Sequence, residues 1–171
     1  MGRVSQRAFF IVGPESSGTR FVNRMFLSAG CQSRIRWKSP ERDGKHNFNF
    51  KGDIAFHRSL PHAYIWPDLA MLRLSMENSG YNVVPILVVR DWHCTVLSQL
   101  RRGMVKDSDR AEKNMRRAIQ TITRDLPDFL LVSYETICLQ HDFRHWLFVE
   151  KYELNEPTEQ IYFGNAQYYG D

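Results

Sequence analysis

The sequence predicts a three-layer α/β fold with a central, mainly parallel sheet flanked by helices. Three observations carry that prediction. Short apolar runs alternate with segments whose apolar residues recur at helical spacing. A glycine-bearing loop, Gly13 to Arg20, joins the first apolar run to the first helical segment. The strongest strand, residues 83–89, is β-branched and nearly all apolar, the composition of a strand covered on both faces. With 171 residues, 43% of them hydrophobic and 25% charged, the chain has apolar surface for one well-packed core, so residues 1–171 read as a single domain. Repeated strand-then-helix order implies right-handed crossovers and helices on both faces of the sheet.

Each element follows from local pattern. Ala8 to Val12 is a continuous apolar run closed by Gly13-Pro14, a buried strand. From Thr19 to Ala29, Phe21, Val22, Met25, Phe26 and Ala29 recur at helical spacing, and Gly30 supplies a stop. Residues 31–52 are polar and basic, punctuated by Pro40, Gly44 and Gly52, and read as a surface excursion. Asp53 to His57 reads as a second strand, followed by the turn-prone stretch 58–62. Pro67-Asp68 opens a helix that runs to about Asn78 and ends at Gly80. Residues 83–89 form the central strand, with Pro85 placed where no ladder donor is needed. Helices are expected from Asp91 to about Arg102, from Asp109 to about Asp125 and over 142–151, with a last strand at 129–133.

A loop that turns from a strand into a helix exposes successive backbone N–H groups at the positive end of the helix, and so holds a phosphate or sulfate with little side-chain help. Gly13 and Gly18 permit the tight path, and Ser16, Ser17 and Thr19 add hydroxyls. Their spacing matches the G-x-x-x-x-G of a nucleotide-binding P-loop, and the expected architecture is accordingly a three-layer P-loop fold. Thr19-Arg20 stand where the NTPase motif carries Lys-Ser or Lys-Thr, so the lysine of that motif is missing.

Ser17-Gly18-Thr19-Arg20 after a buried strand resembles the phosphosulfate-binding loop of the sulfotransferase superfamily. A second motif supports it. Val88-Val89-Arg90-Asp91, with Ser98 eight residues after Arg90, resembles the family's site for the ribose 3′-phosphate, where a forked arginine at a strand end and a serine on the next helix close on one anion. A third match is Leu131 to Glu135, similar to the family's strand ending in Tyr-Glu, and it implies that Tyr134 lies near the adenine side of the cofactor. The resemblance covers residues 8 to about 135. It implies 3′-phosphoadenosine 5′-phosphosulfate (PAPS) as cofactor, 3′,5′-adenosine bisphosphate as product, transfer of a sulfuryl group to a hydroxyl or amine acceptor, and no metal. The implied cofactor-binding residues are Gly13, Ser16, Ser17, Gly18, Thr19, Arg20, Arg90, Ser98 and Tyr134.

Sulfuryl transfer needs a base for the acceptor proton and positive charge for the leaving phosphate. In the family the base is a histidine just before Leu-Pro, and the matching position here is Ser59. His57 is the first candidate, two residues earlier and on the same strand face, and His62 the second. The family's loop lysine or arginine is replaced by Ser16, with Glu15 beside it, so Arg20, Arg24 or Arg58 is expected to supply the charge. Two other functions fit part of the pattern. One is a small P-loop kinase using Mg-ATP, with Asp91 as the magnesium-holding acid. The other is a nucleotide-binding protein without catalysis, which the Glu15-Ser16 departure favours.

The remaining features are read more plainly. The net charge of +4 suits an acidic ligand, but Lys and Arg are dispersed, a pattern that does not call for nucleic acid. No apolar run approaches a membrane span and the start MGRVSQR is no signal peptide, so a cytoplasmic protein is expected. Cys31, Cys94 and Cys138 have no metal or disulfide spacing and read as buried free thiols. His141 and His145 have i, i+4 spacing without a third ligand nearby in sequence, and His93-Cys94 are adjacent on a helix, where side chains point apart. Arg101-Arg102 and Arg116-Arg117 read as a solvated face, one of them possible on an acidic acceptor's path. Trp146 and Phe148 read as core or interface. Tyr162-Phe163 and Tyr168-Tyr169 are positioned to form a loop closing over the nucleotide.

Overall fold

The computed structural model describes residues 6–32, 48, 50–62 and 65–169. Its centre is a four-stranded, wholly parallel sheet in the order β2-β1-β3-β4, comprising β1 (Arg7–Pro14), β2 (Ile54–Leu60), β3 (Asn82–Val89) and β4 (Leu130–Ser133). Among the described residues six α-helices accompany it: α1 (Thr19–Ser28), α2 (Leu69–Asn78), α3 (Trp92–Arg101), α4 (Ser108–Asp125), α5 (Tyr134–Leu139) and α6 (His141–His145).

Strand alternation builds two cores. Phe9, Ile11, Ala55, Ile86, Val88 and Val132 turn to one face of the sheet, where Val22, Met25 and Phe26 of α1 and Ile137 of α5 cover them. Ala8, Phe10, Val12, Phe56 and Leu87 turn to the other, under Leu69, Leu72 and Met76 of α2 and Ala118 and Ile122 of α4. Both faces being covered explains why β1 and β3 are apolar without interruption. The tilted rings of Phe9 and Phe26 pack at 4.6 Å between centroids, and Phe26 reaches Phe148 at 4.7 Å.

The expected elements recur with three differences. β2 runs on through Leu60, because in-register pairing with β1 carries Arg58, Ser59 and Leu60 into the sheet in place of the expected turn. The helix expected over 142–151 is instead the short α6 followed by a π-helical segment, Trp146–Lys151, which buries Leu147 and Phe148. The helix α5, directly after β4, was not read from the sequence. Pro85 lies inside β3, in register with Phe10 of β1, while the pairing with β4 begins only at Ile86. The excursion over 31–52 lies largely outside the described residues, although Phe48 within it is buried in the second core.

Three free cysteines, Cys31, Cys94 and Cys138, are all buried, as expected. Among the described residues no helix is long and apolar enough to cross a membrane.

Candidate functional site

The chain leaves β1 toward β2, then crosses back over β1 to β3, so the connections diverge at the carboxyl ends of β1 and β3. Open α/β sheets bind ligands at such a crevice. A cavity of about 930 Å³ opens there, of the size that holds a nucleotide-like molecule.

Its floor is the loop between β1 and α1. Gly13 is needed for packing, since a Cβ there would lie 2.4 Å from the Val88 carbonyl oxygen and 2.5 Å from Ser17 Oγ. Ser16 and Gly18 adopt left-handed φ values of 69° and 98°, which turns the chain sharply into the helix. A Cβ on Gly18 would approach the Tyr134 ring to 2.6 Å, so this glycine also lets β4's end close over the loop. Three consecutive carbonyls, the groups that repel an anion, are engaged by the protein: Pro14 O by Ser17 N–H (3.0 Å), Glu15 O by Gln99 Nε2 (2.8 Å) and Ser16 O by Arg90 Nη1 (3.2 Å).

The first hydrogen bond of α1 runs from Val22 N–H to Gly18 O. The N–H groups of Thr19, Arg20 and Phe21 therefore have no intrahelical acceptor, Gly18 provides no side-chain cap, and no acid occupies the first turn. A helix start of this kind is an anion site. Among the described residues five arginines line the same cavity, Arg20, Arg24, Arg90, Arg101 and Arg102, with Glu15 as the one carboxylate on the wall. Burial, Arg102 and Arg24, in that order, lower the pKa of Arg20, a sign of concentrated positive charge. Arg102 Nη1 stands 3.4 Å from Ser16 Oγ, and Arg24 is paired with Glu159 at 2.9 Å.

The β3 side carries Arg90 just past the strand and Ser98 two turns into α3, both on the cavity wall. Arg90 lies between two rings, 4.9 Å from the Tyr134 centroid and 5.4 Å from that of Tyr168. Glu135 ties this side together: one carboxylate oxygen accepts from Asp91 N–H (2.8 Å) and Asn165 Nδ2 (2.6 Å), the other from Ser133 Oγ (2.8 Å). Tyr134 latches the C-terminal segment, donating to Tyr162 O and accepting from Gly164 N–H, each at 3.0 Å. Tyr162, Gly164, Gln167 and Tyr168 consequently wall the cavity. Of the terminal aromatics, Tyr162 and Tyr168 face the cavity, Phe163 stacks on Tyr134, and Tyr169 hydrogen-bonds Cys94 and Asp91.

On the opposite side, β2 alternation directs His57 and Ser59 to the face of α1 and Arg58 to the other. His57, Ser59 and His62 line the cavity. His62 is held by a backbone bridge to Ile65 and by its ring Nδ1, 3.2 Å from Ser59 Oγ. Burial, then His62 and Arg20, push the His57 imidazole down to about 4. Burial, Arg58 and Arg20 lower His62 as well. Both rings are neutral at neutral pH.

The cavity thus unites Ser16, Gly18, Thr19, Arg20, Arg90, Ser98, Tyr134, His57 and His62 from the residues singled out in the sequence. Gly13 and Ser17 lie beneath it, buried, and shape the loop. Arg58 corrects an expectation: it stacks on Phe56 at 4.1 Å, outside the cavity, because its place in the strand is one residue out of phase with His57. The carboxylate of Asp91 caps α3 by accepting from Cys94 N–H at 2.8 Å. His93 is exposed while Cys94 is buried, so they form no pair. His141 and His145 both approach Glu156, at 3.7 and 3.0 Å, but no group of three or more His, Cys, Asp or Glu among the described residues is placed to hold a metal ion.

Sequence reasoning missed Gln99, Glu135 and Asn165. Glu135 was visible only as half of a Tyr-Glu pair, and the single signal for Asn165 was a Gly-Asn turn among aromatics. Comparison with protein-family models, with curated proteins and with solved structures finds no match.

Proposed function

We propose that this chain is a sulfotransferase-like P-loop protein that transfers a sulfuryl group from PAPS to a hydroxyl or amine acceptor. The observation that carries the reading is one cavity with an uncapped, arginine-rich helix start at its floor, Arg90 and Ser98 on one wall and two neutral histidines on the other. The loop suits a phosphosulfate, since the carbonyls of Pro14, Glu15 and Ser16 are engaged elsewhere and the N–H groups of Thr19, Arg20 and Phe21 at the start of α1 have no intrahelical acceptor. PAPS, when bound, supplies the activated sulfuryl group and a phosphate leaving group.

In this reading the N–H groups at the start of α1, with Ser16 and Thr19, hold the phosphosulfate, and Arg90 with Ser98 hold the 3′-phosphate. Tyr134 borders the adenine side. Arg20 and Arg102 provide the positive charge that the loop position of Ser16 lacks, acting on the oxygen where charge develops. His57, neutral and on the wall across from Arg90, takes the acceptor's proton, and His62 stands second in line. The free thiols agree with a cytosolic protein.

Thermal shift measurements with 3′,5′-adenosine bisphosphate, with Mg-ATP and without ligand test the reading. Preferential stabilisation by the bisphosphate supports it. Preferential stabilisation by Mg-ATP overturns it in favour of phosphoryl transfer, a role for which Asp91 has its carboxylate committed to the α3 cap. Bisphosphate binding without transfer of labelled sulfate to a broad acceptor panel reduces the protein to a nucleotide binder, the outcome that Glu15 and Ser16 in the loop would explain.

A further inference from the structure

Asn165 is 0% exposed, although it belongs to an irregular C-terminal segment. A wholly buried amide is retained where both its ends are bonded. Its Nδ2 donates to Glu135 Oε1 at 2.6 Å, and its Oδ1 accepts from Arg90 Nε. The orientation is dictated by chemistry: a carboxylate only accepts and a guanidinium only donates, so the amide must turn its NH2 to Glu135 and its oxygen to Arg90. Glu135 is itself anchored to the start of α3 through Asp91 N–H and to β4 through Ser133 Oγ. Arg90 is then held at two points, Nε on Asn165 and Nη1 on Ser16 O, with rings on either side. Among the described residues no other acceptor engages it, which leaves its remaining N–H groups for an anion that enters the cavity.

We infer that Asn165 is a positioning residue for Arg90, through which the C-terminal segment sets the protein's preference for a nucleotide bearing a 3′-phosphate. The inference rests on the proposed role of Arg90. An arginine on a flexible stem would otherwise give up rotamer freedom on binding; one already oriented by Asn165 has less to lose. The relay from Glu135 through Asn165 to Arg90 joins β4, the C-terminal segment and the end of β3 in a single charge-assisted chain.

The test compares affinities for 3′,5′-adenosine bisphosphate and adenosine 5′-monophosphate by calorimetry in the wild type, Asn165→Leu and Asn165→Ser, with melting curves to follow folding. The wild type is expected to prefer the bisphosphate. Asn165→Leu should weaken the bisphosphate about tenfold and the monophosphate less than about twofold, the scale of one lost charge-assisted contact. Combined with Arg90→Ala, the same substitution should change bisphosphate affinity no further. Retention of the wild-type preference in both variants overturns the inference while leaving the proposed function intact, as does equal loss for the two nucleotides. Loss of cooperative melting in both variants makes Asn165 a structural residue and also overturns it. A wild type indifferent to the 3′-phosphate removes the proposed role of Arg90, and the inference with it.

Discussion

The two walls of the cavity are built on opposite principles. Around Arg90, hydrogen bonds and rings from the loop, β4 and the C-terminal segment fix a permanent charge in place. On the β2 wall, burial and nearby cations keep the imidazoles of His57 and His62 uncharged. A group that holds an anion gains from partners that orient it, whereas a group that accepts a proton must first be free of one. The contrast teaches that the same desolvation can serve both ends, provided the charged side is bonded and the neutral side is titratable.

The largest expected effect breaks the histidine wall. His57→Asn should lower the rate of labelled sulfate transfer from PAPS by roughly a hundredfold to ten-thousandfold, with bisphosphate affinity nearly unchanged. An unaltered rate would pass the role of base to His62. The arginine wall comes next: Arg90→Ala should weaken 3′,5′-adenosine bisphosphate about a hundredfold by calorimetry, since it removes a charge-assisted contact from a partly enclosed site. Unchanged affinity there would end the PAPS reading.

A titration sharpens the comparison further. The folded-state pKa of His57 lies near 4, below the model-peptide value of 6.5. Between those pH values the unfolded chain binds the proton and the folded chain does not, so stability falls as pH drops through this window and levels off below about 4. His57→Asn should remove that contribution, at most about 3 kcal/mol, and flatten the pH dependence of urea unfolding. Binding of the anionic bisphosphate beside the ring should raise the His57 pKa, a shift that histidine NMR titration can follow. A drop on binding would separate His57 from the anion.

The smallest effects concern two left-handed glycines, one in the floor shared by both walls and one, as a control, in the turn after α2. Gly18→Ala meets the Tyr134 ring at 2.6 Å and keeps a φ of 98°, and should cost about 2 kcal/mol in chemical denaturation. Gly80→Ala has a φ of 88° but nothing within 4 Å, and should cost only about 1 kcal/mol. Equal losses in the two variants would mean that Tyr134 moves aside readily.

Much of the fold was legible because its signals are local. The apolar runs of β1 and β3, the helical spacing in α1 and the Pro67-Asp68 start of α2 are written within a few residues each, and Asp68 caps α2 by accepting from Met71 N–H; α4 starts slightly before the Asp109 expected, with Asp107 as its cap accepting from Arg110 N–H. The π-helical segment and the reach of β2 were not legible, because packing of Leu147 and Phe148 and pairing with β1 decide them over local preference.

In the site, the sequence by itself determined the glycine loop, Arg90, Ser98 and the candidate histidines, since strand and helix periodicity set which residues stand at the ends of neighbouring elements. Only the tertiary structure decided that Arg58 faces away, that Arg101 and Arg102 join the cavity, and that Asn165 reaches Arg90 across 75 positions of chain. The physical reason is that a side chain's partner in three dimensions depends on how elements cross and on where an irregular segment comes to rest. A periodic pattern carries no record of that.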